Sequence, residues 1–116
     1  MIARVWHGWT APDNADRYET LLKTEIFPGI LAKRVAGFRH IELFRRDLPA
    51  GDDGAGARPG EVEFVTVMWF DTLDAVRAFA GEDYETAYVP AAARQVLARF
   101  DARSAHYDIR AQEDAA

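Results

Sequence analysis

The stretch Glu61-Val62-Glu63-Phe64-Val65-Thr66-Val67-Met68-Trp69-Phe70, followed by Asp71-Thr72-Leu73-Asp74 and Ala75-Val76-Arg77-Ala78-Phe79-Ala80-Gly81, decides the fold. Its first ten residues are rich in β-branched and aromatic side chains and read as a strand. Phe64, Met68 and Phe70 alternate with Val65, Val67 and Trp69, so both faces are apolar. A strand with one wet face alternates apolar with polar, so this pattern predicts cover on both sides. Asp71 is the expected helix N-cap, and Asp74 puts a second carboxylate in the first turn, where the helix dipole favours it. Leu73, Val76, Phe79 and Ala80 follow at helical spacing, and Gly81 supplies the stop.

Working outward, Ile2 to Thr10 also carries apolar bulk in both alternating sets, Ile2 and Trp6 against Val5 and Trp9. It reads as a second doubly covered strand. Pro12-Asp13 marks a helix start with Asp13 as cap, and Ala15, Tyr18, Leu21, Leu22 and Ile26 recur at helical spacing. Pro28 predicts a kink or break, followed by a short segment from Gly29 to about Val35. Gly37 to Arg46 is a more polar strand, nearer an edge. Asp47 to Gly60 reads as a mobile hairpin connection; its Gly51, Gly54 and Gly56 lack the context of a phosphate-binding loop. Glu82 to Tyr88 predicts another helical turn or two, and Pro90 opens a last helix carrying Ala93, Val96 and Leu97. Phe100 to Arg110 is the expected final strand. Residues 1–110 therefore read as one domain and 111–116 as a flexible tail.

Composition narrows the class. At 116 residues and 49% hydrophobic, the chain suits one domain with a real core. It has no cysteine, which excludes disulfides, thiolate metal sites and thiol nucleophiles. The net charge of -5 argues against nucleic acid as a partner. The third strand also begins with Glu61 and Glu63, where an RNA-recognition motif needs basic residues. No basic-then-apolar leader and no apolar run of about 20 residues is seen, so the expected location is cytoplasmic, with no membrane contact. Aromatic residues make up 12% of the chain, which points to a cavity for a flat ligand.

The element order β-α-β-β-α-β is that of the ferredoxin-like α+β fold, with the first and third strands side by side in an antiparallel sheet. Its helices cover only one sheet face. The doubly apolar central strands therefore predict a homodimer in which two sheets pack face to face.

On this layout, on Trp69-Phe70-Asp71-Thr72-Leu73-Asp74-Ala75-Val76 leading from strand to helix, and on Asp83-Tyr84 to Tyr88 beyond it, the chain resembles the antibiotic biosynthesis monooxygenase family of dimeric α+β barrels. The resemblance covers about residues 2 to 110. It implies a pocket between helices and sheet, and oxidation of a small aromatic, polyketide-like or quinol molecule with no cofactor. Some relatives degrade haem, with a His ligand where Tyr88 falls here and a tryptophan near Trp69 or Phe70. Non-catalytic ligand binding and haem handling are the alternatives.

Such chemistry needs a dry aromatic slot, a base and hydrogen-bond donors for developing charge. Tyr88, His7 and His40 are the candidate catalytic residues. Trp9, Phe64, Met68, Trp69, Phe70, Tyr84 and His106 are the candidate substrate-binding residues. Tyr84 and Tyr88, four residues apart on an expected helix, would share a face. The competing reading is core or dimer-interface packing for the tryptophans, and a surface or partly buried structural role for each histidine. The three histidines share no metal-ligand spacing, and no metal is expected.

Overall fold

The computed structural model describes residues 1–52, 57–58 and 60–115. The chain is an α+β protein whose five-stranded sheet pairs antiparallel throughout. Its strands are β1 (Ile2–Thr10), β2 (Phe38–Asp47), β5 (Val62–Phe70), β6 (Arg99–Phe100) and β7 (Ala105–Asp108). Between β2 and β5 the short pair β3 (Gly51–Asp52) and β4 (Ala57–Arg58) forms its own ladder. Gly54 and Gly56 lie outside the described residues. The sheet order is β2-β5-β1, with β6 and β7 both on the far side of β1. The expected final strand is thus two short pieces, separated by a bend at Ala102.

The β1–β5 register runs from Ile2 opposite Phe70 to Thr10 opposite Val62. Alternation then sends the even-numbered residues of both strands to one face. Phe64 and Phe70 are fully buried on that face. Phe64 meets Tyr18 edge-on at 4.9 Å, and Phe70 packs against Phe38 and Phe79 at 5.2 and 5.8 Å. A bulge between Phe38 and His40 restores the parity of β2, so that Phe38 and Ile41 both face inward.

The inward face is covered by helices. α1 (Ala15–Leu21), a π-helical turn (Leu22–Ile26) and α2 (Phe27–Ala32) follow without interruption. The expected break at Pro28 does not occur. Proline in an α-helix lacks a donor and pushes against the carbonyl four residues back. Here the preceding turn widens instead: the Phe27 N–H bonds to the Leu22 carbonyl, five residues back, and Pro28 sits in the first turn of α2. α3 (Leu73–Ala80) stops at Gly81, whose φ is 88°. Its cap is Thr72, whose hydroxyl accepts from the Ala75 N–H at 3.2 Å. Asp71, the expected cap, instead forms an ion pair with Arg39 across the sheet. At the first helix Asp13 caps nothing; it lies in a 3-10 turn (Pro12–Asn14), and the helix has no side-chain cap. Glu82 to Tyr88 is not helical: it runs as turns and extended chain, bridged at Thr86 to Arg103. The last helix is the single turn α4 (Ala91–Arg94).

The opposite sheet face carries no helix. It presents Val5, His7 and Trp9 from β1, Glu63, Val65, Val67 and Trp69 from β5, and His40, Glu42, Phe44 and Arg46 from β2. Phe44 and Tyr107 are both exposed there.

Gly37 joins the helical layer to β2 with φ at 86°, and a Cβ there would lie 2.8 Å from the Ala75 Cβ. Both backbone strain and a collision against α3 follow from any side chain. Gly37→Ala is expected to destabilise the fold by about 2 kcal/mol in urea unfolding, with an unchanged slope.

Candidate functional site

The inward face does not fill completely. Between the sheet and the helices lies a narrow cleft with about 50 Å³ of free interior, or about 520 Å³ with the open solvent at its mouth included. Its sheet wall is Arg4 and Trp6 from β1, Ile41 from β2, and Thr66 and Met68 from β5. Its helical wall is Tyr18, Leu22, Ile26, Phe27 and Ile30. Phe79 and the segment Tyr88 to Pro90 close one end, with Ser104 beside them. The surface is mostly apolar, with a few polar groups, as small-molecule sites are.

The side chains of β1 point alternately into and away from this cleft, and Arg4 points in. It is only 4% exposed. Its Nη1 donates to the Tyr84 carbonyl and to His106 Nε2 at 2.9 Å, and its Nη2 donates to the Thr86 carbonyl at 3.3 Å. The guanidinium also lies 5.7 Å from the centre of the Phe79 ring. Burial lowers its pKa to about 10, so it remains a cation at neutral pH.

His106 accepts this bond with Nε2, which places its proton on Nδ1. Burial and then the Arg4 charge hold its pKa below the ordinary 6.5, against a smaller opposing pull from Glu85. Tyr84 stands edge-on to its ring at 5.2 Å. Tyr18 is 1% exposed, and its side chain makes no hydrogen bond to a described residue. Burial raises its phenol above the usual tyrosine range, so it stays protonated. Trp6 directs its indole N–H away, to the Asp101 carbonyl at 2.7 Å.

Of the residues chosen from sequence, Tyr88 and Met68 line the cleft. Phe64 and Phe70 face the same way but are packed in the core. Tyr88 is 57% exposed at the mouth, with Lys33 Nζ 4.9 Å above its ring. Tyr84 and Tyr88 do not share a helical face, because their segment is not a helix; Tyr84 turns toward His106 instead. His106 lines a neighbouring groove and reaches the cleft only through Arg4.

His7, His40, Trp9 and Trp69 are not brought together with Tyr88. All four project from the opposite sheet face. There His7 contacts Glu63 at 3.4 Å, and Arg46 reaches the same carboxylate at 2.5 Å. Burial would raise the Glu63 pKa, but these two partners outweigh it and hold it low. His40 and the Trp69 indole both bond to Glu42, at 3.0 and 2.6 Å. Arg99 lies over the Trp9 ring at 3.9 Å.

Arg4, Tyr18, Thr66 and Ser104 are the polar lining residues that sequence reasoning passed over. The one signal for Arg4 was a charge inside a doubly apolar strand. Among the described residues no group of three or more His, Asp or Glu is placed to hold a metal. No helix among them is long and apolar enough to cross a membrane. No family model matches the chain, and no characterised protein aligns with it significantly.

The depressed pKa of His106 makes a pH prediction. The unfolded chain takes up this proton before the folded one, so the stabilisation is complete above about pH 6.5 and is lost as pH falls from there through the lower folded value. His106→Gln keeps an acceptor for Arg4 but does not titrate. Unfolding free energies measured from pH 7.5 to 5 should fall less steeply for this variant than for the parent chain.

Proposed function

We propose that this protein is a small homodimeric oxygenase that takes a flat aromatic or quinol-type molecule into the cleft and oxidises it without a cofactor. The single observation that carries this reading is the cleft itself: an aromatic and aliphatic slot between helices and sheet. The reaction needs little from the protein beyond that slot. A deprotonated anthrone or quinol is itself the reductant of dioxygen. An anthrone methylene becomes a carbonyl, keeping one oxygen atom while the other leaves as water; a quinol gives quinone and hydrogen peroxide. The protein's part is to exclude water, to place the ring and to offer donors to the developing oxyanion. Tyr18 and Tyr88 are the hydroxyl donors on the cleft wall, and Tyr88 at the mouth handles the proton.

The dimer belongs to the same proposal. Phe44, Val5, Val65, Val67, Trp9, Trp69 and Tyr107 lie together on the uncovered face, Phe44 and Tyr107 exposed and the rest half-buried, as an apolar patch a partner can cover. A second copy packed sheet to sheet covers it and gives the ferredoxin-like domain its dimeric barrel.

One observation favours a binding protein without turnover: no histidine lines the cleft among the described residues. Oxygen uptake separates the two. Metal-free protein supplied with a panel of anthrones and quinols should consume oxygen above the uncatalysed rate, and Tyr88→Phe should lower kcat by about tenfold or more. Saturable binding of the same compounds with no product would leave the binding reading in place of the enzyme. The dimer has its own check. Sedimentation at micromolar concentration should give twice the chain mass, and Val67→Asp, at the middle of the uncovered face, should give a folded single chain.

A further inference from the structure

We propose that the ligand of this cleft carries an oxyanion, a carboxylate or an ionised phenol on its ring, and that the anion seats on the guanidinium of Arg4. This rests on the reading of the cleft as an aromatic-ligand site and adds the charge of what enters it.

Arg39, Arg45, Arg46, Arg77, Arg99 and Arg103 each reach a carboxylate, although all six are far more exposed than Arg4. In water an unpaired guanidinium costs little; out of water it costs several kcal/mol unless a counter-charge is supplied. The most buried of these arginines, Arg4, reaches no carboxylate among the described residues: its three bonded partners are two backbone carbonyls and a neutral imidazole. Arg94 also bonds only to a carbonyl, but it is exposed. Glu85, the nearest acid to act on His106, is committed to Arg103 at 2.9 Å on the surface.

A structural clamp does not need this charge. Tying the carbonyls of Tyr84 and Thr86 to the sheet requires only neutral donors, which an amide could provide. Of the five N–H groups of a guanidinium, three are used. The Nε–H and one Nη2–H have no partner among the described residues. A planar cation with two free donors, lining an apolar cleft, matches the oxygens of a carboxylate or phenolate.

A second observation is independent of the charge. Tyr18, on the opposite wall, lines the cleft with a hydroxyl that bonds to no described residue. That oxygen is not among the fully buried unsatisfied atoms, so it opens on the cleft with its donor available to a bound molecule. Cation on the sheet wall, hydroxyl on the helical wall and hydrocarbon between them describe a ring with one anionic edge.

The test uses the full-length chain and three probes: 2-naphthoate, the neutral isostere 2-naphthamide, and 4-nitrophenol, which absorbs in the visible only when ionised. Calorimetry should show naphthoate binding about tenfold to hundredfold tighter than naphthamide, the range for hydrogen bonds to charged groups. Arg4→Met should abolish that ratio. Arg4→Lys, which keeps the charge but not the fork, should retain part of it, and serves if the methionine variant does not fold. 4-Nitrophenol bound below its own pKa should develop the phenolate band if an ionised phenol is the natural group; naphthoate selectivity without that band assigns a carboxylate. Equal binding of naphthoate and naphthamide, with nitrophenol left neutral, overturns the anion while leaving an aromatic cleft. Binding of none of the three overturns the cleft reading and the anion with it.

Discussion

The register between β1 and β5 is the constraint on which the rest of this molecule depends. Because side chains alternate, moving either strand by one residue exchanges every inward group for an outward one. In the observed pairing, Arg4 lies opposite Met68 and Gly8 opposite Phe64, while His7 lies opposite Val65. Gly8 helps to lock this choice. A Cβ at that position would lie 2.6 Å from the Trp6 ring and 3.1 Å from Leu97. The missing side chain is what lets the Trp6 ring lie over the strand there. Slipped by one, the sheet would bury His7 and Trp9 under the helices and expose Arg4 to solvent.

Much of the architecture could be read from particular residues. The ten-residue run to Phe70, the helix behind it and its glycine stop are where the pattern placed them, because tertiary packing and local propensity agree there. Pro28 and Asp71 show where they part. Proline's demand was met by widening one turn rather than ending a helix, an option invisible in hydrophobic spacing. Asp71 had a better partner than the helix end, Arg39 on a strand 32 positions earlier in the chain. Tyr88 was placed near the cleft for the wrong local reason: its segment is held by the Thr86 to Arg103 bridge, a long-range pairing.

The site was harder to read than the fold, and the reason is parity. Where both alternating sets of a strand are apolar, the sequence does not say which set meets the helices. His7 and His40 drew attention as titratable groups, yet both fall on the face without helices, where each already has a carboxylate partner. That face carries balanced chemistry, His7–Glu63–Arg46 and His40–Glu42–Trp69, laid between valines and aromatic rings. Nothing in those clusters is left unpaired. Around the cleft the inward face is the reverse: mostly hydrocarbon, with a cation that meets no carboxylate and a phenol that makes no hydrogen bond among the described residues.

That contrast ties stability to function through one side chain. Arg4 holds the carbonyls of Tyr84 and Thr86, so it anchors the segment that carries Tyr88 to the cleft mouth. The same guanidinium forms part of the cleft's sheet wall. A hydrophobic residue at this position would remove the desolvation penalty, but it would also release the two carbonyls that Arg4 holds and loosen the mouth. A lysine would restore the charge but not three simultaneous bonds in one plane. Arginine satisfies the loop with some of its donors and has two more with no partner among the described residues. An anion seated there, as proposed, would neutralise the charge beside the very segment that Arg4 anchors.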